Sequence, residues 1–98
     1  MEVEFASNDL EQLEADNTFD CGFGQDIVRG YRKRMQTIRA ALDERDFYAL
    51  KSLRFEKLKG ERQHQYSMRI NDQWRLIIEI IENKPKNIVR IIRIEDYH

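Results

Sequence analysis

The segment from residue 65 to residue 95 constrains the fold most, because it alternates apolar and polar side chains in runs separated by turn residues. The runs cover residues 65–70, 74–81 and 87–95, and the connections are Asn71-Asp72-Gln73 and "ENKPK". Such alternation is typical of β-strands with one buried face. We therefore predict that three contiguous strands form the C-terminal part of the fold.

The register of the first hairpin follows from the length of its loop. A three-residue loop at residues 71–73 places all its apolar cross-strand pairs on one face, whereas a two-residue loop would split them between faces. The predicted pairs are Ile70 with Trp74, Met68 with Leu76, and Tyr66 with Ile78. The same register sets Arg69 opposite Arg75 on the other face. Two like charges there destabilise the sheet unless carboxylates of the fold or an external anion neutralise them.

The last strand brings the chain end toward these arginines. By simple alternation, one face carries Val89, Ile91, Arg93 and Glu95, and the other carries Ile88, Arg90, Ile92 and Ile94. The chain then ends in Asp96-Tyr97-His98, which is poorly suited to a core because the α-carboxylate would be buried with it. We expect Tyr97 and His98 to lie at the end of the sheet beside the arginines.

The remaining elements precede these strands. "MEVEF" predicts a half-exposed first strand, and Ser7 or Asn8 is a suitable N-cap for a short helix. Helical periodicity predicts a long amphipathic helix from Asp26 to about Arg45, and residues 46–62 predict a helical turn followed by a basic loop. The order predicts an α+β fold, a single domain over residues 1–98, with two N-terminal helices on one face of a small, mainly antiparallel four-stranded sheet. The other sheet face is left free for function.

Charge is divided unevenly along the chain. Residues 1–26 contain eight acidic residues and no basic residue, and the other 72 residues carry all 17 basic residues with ten acidic ones. Such a division indicates either a basic surface for a polyanion or simply solvated faces. The N-terminal residues lack the features of a signal peptide, and no run of about 18 apolar residues exists. We expect a cytoplasmic protein with no membrane contact, and Cys21 has no CxxC companion for a metal.

Three motifs in order resemble a known family. "RFEKLKGER" at residues 54–62, "QYSMRINDQWRL" at residues 65–76 and the terminal "DYH" resemble the RelE/ParE toxin superfamily, and within it the HigB-like, host-killing branch of type II toxin–antitoxin systems. The resemblance covers roughly residues 24–98. It implies a RelE-like microbial ribonuclease fold and a ribosome-dependent endoribonuclease that cleaves mRNA in the A site. It also implies a helix-turn-helix, HigA-like antitoxin as partner.

In such toxins the 2′-hydroxyl of the RNA attacks the adjacent phosphate, so neither a metal nor another cofactor is expected. The reaction needs a base, cations for the phosphorane and an acid for the leaving oxygen. The resemblance implies catalytic roles for Glu56, Arg69, Tyr97 and His98, with Asp96 orienting His98. RNA-phosphate contacts are predicted for Arg54, Lys57, Lys59, Arg62 and Arg75.

Several of these residues also have a structural interpretation, and His98, as the last residue, is alternatively frayed. Glu56 lies among cations and is then an ion-pair partner with a weakened basicity. Arg75 alternatively bonds to Glu79 or Asp72, Asp96 alternatively caps its strand, and the basic residues of 54–62 are alternatively a solvated loop. His64 is expected to be exposed or to contact RNA, and Tyr97 is the better candidate than Trp74 to stack on a base.

Two other functions compete with RNA cleavage. ParE-like members of the superfamily inhibit DNA gyrase by binding, without catalytic residues, and a third possibility is an antitoxin-binding regulatory module without activity. The tyrosine-histidine ending and the basic loop around Lys59 favour cleavage. The eight acids before Ile27 also suggest a surface for a basic partner.

Overall fold

A computed structural model describes residues 1–97 of the 98-residue chain. Its strands are β1 (Glu2–Phe5), β2 (Glu56–Lys57), β3 (Tyr66–Arg69), β4 (Trp74–Ile81) and β5 (Ile88–Asp96). Its helices are α1 (Asn8–Ala15), α2 (Gln25–Ala40) and α3 (Arg45–Ala49), with 3₁₀ turns at Lys51–Leu53 and Gly60–Arg62. Among the described residues, no helix has the length and hydrophobicity needed to cross a membrane.

The described strands form one sheet in the order β1-β5-β4-β3-β2. β1 runs parallel to β5, and every other neighbouring pair is antiparallel. The predicted α+β class is confirmed, but the sheet of residues 1–97 has five strands where four were predicted. The additional strand is β2, in which Glu56 lies opposite Ser67 and Lys57 opposite Tyr66. A two-residue strand has too few positions to show an alternating pattern.

The predicted register of the β3–β4 hairpin is confirmed. Tyr66 lies opposite Ile78, Met68 opposite Leu76, and Arg69 opposite Arg75. The Ile70 amide donates to the Trp74 carbonyl at 2.9 Å, which closes the three-residue loop. Asn71 holds that loop, because its Oδ1 accepts hydrogen bonds from the amides of Gln73 and Trp74.

A β-bulge interrupts the last strand, so the simple alternation predicted for residues 88–95 is wrong. Ile77 pairs with Arg93 while its neighbour Ile78 pairs with Ile91, which leaves Ile92 as the extra residue. The bulge reverses the faces of the residues that follow it. Arg93 therefore joins Arg90 on the face away from the helices, and Ile94 packs against the core.

Helix α2 is shorter than predicted. The apolar pattern extended the helix to about Arg45, but α2 ends at Ala40, and a separate helix, α3, begins at Arg45. The α-ammonium group of Met1 donates to the carbonyls of Ile38, Arg39 and Ala41 at 3.2, 3.1 and 2.7 Å. The carbonyls of a helix C-terminus lack partners within the helix and carry partial negative charge. A cation at this position thus stabilises the end of α2 and joins it to β1.

Helix α2 packs closely on the hairpin at Gly30. A Cβ atom added at Gly30 would lie 2.5 Å from Cγ2 of Ile70 and 3.3 Å from the Ile70 carbonyl oxygen. Glycine is thus required for the close approach of helix and sheet, which the sequence pattern does not reveal. The core between the two layers is formed by one cluster of residues, whose fully buried members include Leu13, Tyr31, Met35, Ile38, Phe47, Met68, Leu76, Ile78 and Ile91.

Candidate functional site

Two arginines from neighbouring strands share the sheet face that lies away from the helices. Arg69 on β3 and Arg75 on β4 are directly opposite each other. The Arg75 residue is only 6% exposed, and the Arg69 side chain is 27% exposed. The Asp72 carboxylate accepts a hydrogen bond from Arg69, whereas within residues 1–97 two nitrogens of the Arg75 guanidinium have no hydrogen-bond partner.

Arg75 is a buried cation with unused hydrogen-bond donors. Within the described part of the chain, its Nε and Nη1 atoms are buried and have no hydrogen-bond partner. The guanidinium carbon lies 4.3 Å from the centroid of the Tyr97 ring, a cation–π contact that offsets part of the desolvation cost. The alternative interpretation, a bond from Arg75 to Glu79 or Asp72, does not hold. Asp72 bonds Arg69, and the hydrogen bond to Glu79 comes from Gln65.

Ser67 adds a third unsatisfied atom on the same face. It lies opposite Ile77 on β4, so it is the diagonal neighbour of Arg75 across the strand pair. Ser67 is 1% exposed, and its Oγ has no partner within residues 1–97. Burying a polar group without a partner costs free energy. Three such atoms on diagonally adjacent residues make this part of the sheet face a candidate for binding a polar group.

Further guanidinium groups surround Arg69. Arg34 of α2 donates through Nε to the Arg69 carbonyl oxygen at 2.6 Å. Burial lowers the pKa of Arg34, and the nearby charge of Arg69 lowers it further. Arg69 Nη2 donates to Asp72 Oδ1, and this hydrogen bond holds the pKa of Asp72 below its usual value, with a smaller contribution from the charge of Arg54. The cations thus extend from the sheet face around the hairpin loop.

The hairpin loop also positions the chain end. Trp74 lies in register with Asp96, and Gln73 Nε2 donates to Asp96 Oδ2 at 3.2 Å. The Tyr97 amide donates to the Gln73 carbonyl oxygen at 2.5 Å. Tyr97 is 49% exposed, so one part of its ring remains open to solvent above Arg75. His98 lies outside the described residues, and its predicted catalytic role stays a prediction.

The other predicted site residues are more dispersed. Glu56 is exposed on β2 at the edge of the sheet. Its register opposite Ser67 places it on the face that carries Arg69 and Arg75, called the arginine face below. Lys57 follows on the opposite face, and Arg54 and Lys59 are exposed on either side of β2. Arg54 has φ of 45°, in the left-handed region that is uncommon for non-glycine residues. The predicted roles of these residues are not tested by their placement.

Arg62 is engaged in an ion pair that crosses this face. Its Nη1 and Nη2 donate to both carboxylate oxygens of Glu95 on β5, at 3.1 and 2.8 Å, and Arg93 Nε donates to the same carboxylate at 3.1 Å. Burial raises the pKa of Glu95, but the hydrogen bonds from Arg62 and Arg93 outweigh it, so the pKa lies below its usual value. The sheet face that was predicted to be free is therefore partly covered by the side chains of Arg62, Arg93 and Glu95. Ile77, on the same face, is buried.

Sequence reasoning missed Ser67, Arg34 and the Glu95 network. The alternation of residues along β3 predicts which face of the sheet Ser67 lies on. It does not predict that Ser67 is buried, because burial depends on side chains from distant segments. His64, predicted to be exposed or to contact RNA, is exposed, with Nε2 3.5 Å from Glu79 Oε2. Among the residues that the structure describes, no three His, Cys, Asp or Glu side chains are grouped so as to hold a metal ion.

Solved structures of bacterial toxins share this fold. The YoeB/ParE toxin from Agrobacterium tumefaciens is 14% identical, with a TM-score of 0.60 and complete coverage of both chains. A chain of the YoeB-YefM complex from Staphylococcus aureus is 20% identical, with a TM-score of 0.59 over 100% of this chain and 97% of that one. YafQ from E. coli strain BL21(DE3) is 14% identical, with a TM-score of 0.57 over 97% and 91% of the two chains. The fold is thus that of a RelE-like toxin.

The family follows from the sequence itself. Residues 3–97 match the family described as RelE-like toxin of type II toxin-antitoxin system HigB. The chain therefore belongs to the HigB-like toxins, and the resemblance noted in the sequence is confirmed. No curated protein sequence matches the chain significantly.

Proposed function

We propose that this protein is a ribosome-dependent endoribonuclease that cleaves mRNA in the A site without a metal ion. The observation that carries the proposal is the buried Arg75, whose Nε and Nη1 lack partners within the described chain while Arg69 lies opposite and Tyr97 lies above. A guanidinium with unpaired donors binds a phosphate oxygen strongly once the side chains that cover it move aside. The scissile phosphate of RNA is the anion that the family membership suggests.

Arg69 and Arg75 stabilise the charge that develops on the phosphorane. The reaction begins when the 2′-hydroxyl of one nucleotide loses its proton and attacks the adjacent phosphorus, and it ends when the 5′ oxygen leaves with a proton. The pentavalent intermediate carries more negative charge on its equatorial oxygens than the diester does. Two guanidiniums on neighbouring strands therefore bind it more tightly than the substrate, which is the requirement for catalysis. Ser67 Oγ supplies a further donor on the same face.

The proton transfers fall to the chain end and to Glu56. Histidine is the side chain best suited to proton transfer near neutral pH, and His98 follows Tyr97, whose ring contacts Arg75. Asp96 orients His98, and Glu56 is the candidate base on the sheet edge. Tyr97 stacks on a base of the RNA and keeps the Arg75 guanidinium in place.

The exposed cations of the 54–62 segment bind the backbone of mRNA or ribosomal RNA. Arg54, Lys57 and Lys59 have exposed side chains suited to phosphate contacts. Arg62 contributes after exchanging its bond with Glu95 for one with RNA. These contacts supply affinity, and the arginine face supplies the chemistry.

The partner that restrains the toxin is a HigA-like, helix-turn-helix antitoxin in the same cytoplasm. Membership of the HigB-like type II toxin family supports this partner, and the complex in which the Staphylococcus aureus YoeB occurs with YefM supports an antitoxin partner in general. The whole chain, residues 1–98, acts as one domain.

Mapping of transcript ends after induced expression tests the proposal. New 5′ ends within translated codons are expected for the wild type, and they disappear in Arg69→Ala and after deletion of residues 97–98. Arg90→Ala is the matched control, because Arg90 lies on the same sheet face near Glu4, at the other end of β5. In the absence of ribosomes, the purified protein is expected to show little cleavage of RNA. Intact transcripts together with inhibited supercoiling would instead support a ParE-like gyrase inhibitor, and absence of both effects would leave an antitoxin-binding module.

A further inference from the structure

Asp72 is paired with Arg69 in the exposed hairpin loop. Its Oδ1 accepts a hydrogen bond from Arg69 Nη2, and its side chain is 97% exposed. The backbone of the loop is held by Asn71, whose Oδ1 accepts from the amides of Gln73 and Trp74 at 2.9 and 2.8 Å. The Asp72 carboxylate therefore makes none of these backbone hydrogen bonds, and it lies outside the core. The side-chain hydrogen bond of Asp72 is with Arg69, which lies beside Arg34 and Arg75.

The surroundings of Asp72 are strongly cationic. Arg75 lies across the strand pair from Arg69, and Arg34 is bonded to the Arg69 carbonyl oxygen. The charge of Arg54 also acts on Asp72 and favours its ionised form. A carboxylate in this position has two oxygens on a planar group and binds a guanidinium as a phosphate does. It thus occupies a place that an RNA phosphate would take.

We propose that Asp72 is an internal counter-ion that occupies Arg69 until an RNA phosphate displaces it. This inference rests on the proposed function, because it takes RNA as the incoming anion. On displacement a phosphate oxygen accepts the hydrogen bond from Arg69 Nη2, and the exposed carboxylate moves into solvent. A tethered competitor lowers the apparent affinity for phosphate by the fraction of time that Arg69 is free. Free RNA is then bound weakly, and binding is productive where the ribosome supplies additional contacts.

Binding of a short RNA that cannot be cleaved tests the inference. The probe is a fluorescein-labelled RNA hexamer with 2′-O-methyl groups, which lacks the attacking hydroxyl, and affinity is measured by fluorescence anisotropy. Asp72→Asn is expected to bind this probe about two- to fivefold more tightly than the wild type, the range that loss of an exposed ion pair allows. The charge control is Glu61→Gln, which removes one negative charge from an exposed position in the Gly60–Arg62 turn. It is expected to change affinity less.

The double variant Arg69→Ala/Asp72→Asn separates a local effect from a general change in charge. It is expected to bind no more tightly than Arg69→Ala, because the competitor acts through Arg69. A gain that persists without Arg69, or a gain no larger than that of Glu61→Gln, overturns the inference. If wild type and Arg69→Ala bind the probe equally, Arg69 is not a phosphate ligand, and this result overturns the phosphate role on which both proposals depend. Tighter binding by Asp72→Asn together with uncut transcripts in cells would retain the counter-ion and reject the nuclease.

Discussion

The ring of Tyr97 lies over the guanidinium of Arg75, with 4.3 Å between the guanidinium carbon and the ring centroid. The two residues come from the end of the chain and from the start of β4. Their contact is fixed by the hairpin loop, because Gln73 next to that strand accepts a hydrogen bond from the Tyr97 amide. One loop therefore determines the position of the cation and of the aromatic group above it.

Replacing Arg75 with methionine is expected to separate stability from activity. Methionine fills a similar volume without leaving a buried charge, so the free energy of unfolding should stay within about 1 kcal/mol of the wild type or increase. The predicted cleavage should disappear, because the phosphate loses its buried ligand. Urea unfolding and transcript-end mapping measure the two properties.

A comparison variant shows that the unfolding assay responds to core changes. Leu76→Ala, at the neighbouring fully buried position of β4, is expected to lower the free energy of unfolding by about 2–5 kcal/mol. Loss of more than about 2 kcal/mol in Arg75→Met would mean that the guanidinium has a stabilising partner in the fold.

Gly30→Ala is expected to destabilise the protein although alanine favours helices. The new Cβ would lie 2.5 Å from Ile70 Cγ2 and close to the Ile70 carbonyl, and such overpacking costs about 1–3 kcal/mol. The gain in helix propensity, about 1 kcal/mol, offsets only part of this cost. Chemical denaturation of the variant, compared with Gln36→Ala at an exposed position of the same helix, measures the difference.

A double-mutant cycle identifies the cause of that loss. Because Ile70→Ala removes the Cγ2 atom that the new Cβ would meet, Gly30→Ala should cost less in the Ile70→Ala background than in the wild type. If Gly30→Ala lowers the free energy of unfolding equally in both backgrounds, the contact with Ile70 Cγ2 is not the cause of the loss.

The hairpin shows how far the sequence predicts this fold. Strict alternation in β3 and β4 and a loop of three residues determine which residues pair, so Arg69 opposite Arg75 follows from the sequence. The bulge at Ile92 cannot be predicted from the sequence. Ile91 and Ile92 are equally apolar, so the pattern is the same whichever of them faces the core. Burial of Ser67 and the contact between Arg34 and Arg69 depend on segments far apart in sequence, for which local periodicity carries no information.

Glu95 is expected to make stability depend on pH in the acid range. Its pKa in the folded protein lies below the usual value of 4.5, so the unfolded chain binds more protons there than the folded one. Stability from this group is therefore complete above about pH 5.5 and is lost as the pH falls through the folded pKa. Glu95→Gln should be less stable than the wild type at pH 7, by up to about 1 kcal/mol, and the difference should shrink toward pH 3.

The measurement is urea unfolding of both proteins at a series of pH values. Glu4→Gln is a useful control, because Glu4 approaches Arg90 only at 4.0 Å on the exposed edge strand. A difference between Glu95→Gln and wild type that does not change between pH 7 and pH 3 would show that ionisation of Glu95 contributes nothing.

Variants of Tyr97 distinguish stacking from proton transfer. Tyr97→Phe keeps a ring over Arg75 and removes the hydroxyl, and it is expected to cleave A-site codons on purified programmed ribosomes within a few-fold of the wild-type rate. Tyr97→Ala removes the ring as well and should lose about 1–3 kcal/mol of RNA binding, the usual contribution of one stacked base. Single-turnover rates at saturating and subsaturating toxin separate binding from chemistry. A loss of about a hundredfold or more in Tyr97→Phe would assign the acid or base role to the hydroxyl, and His98 would then not be required for that proton.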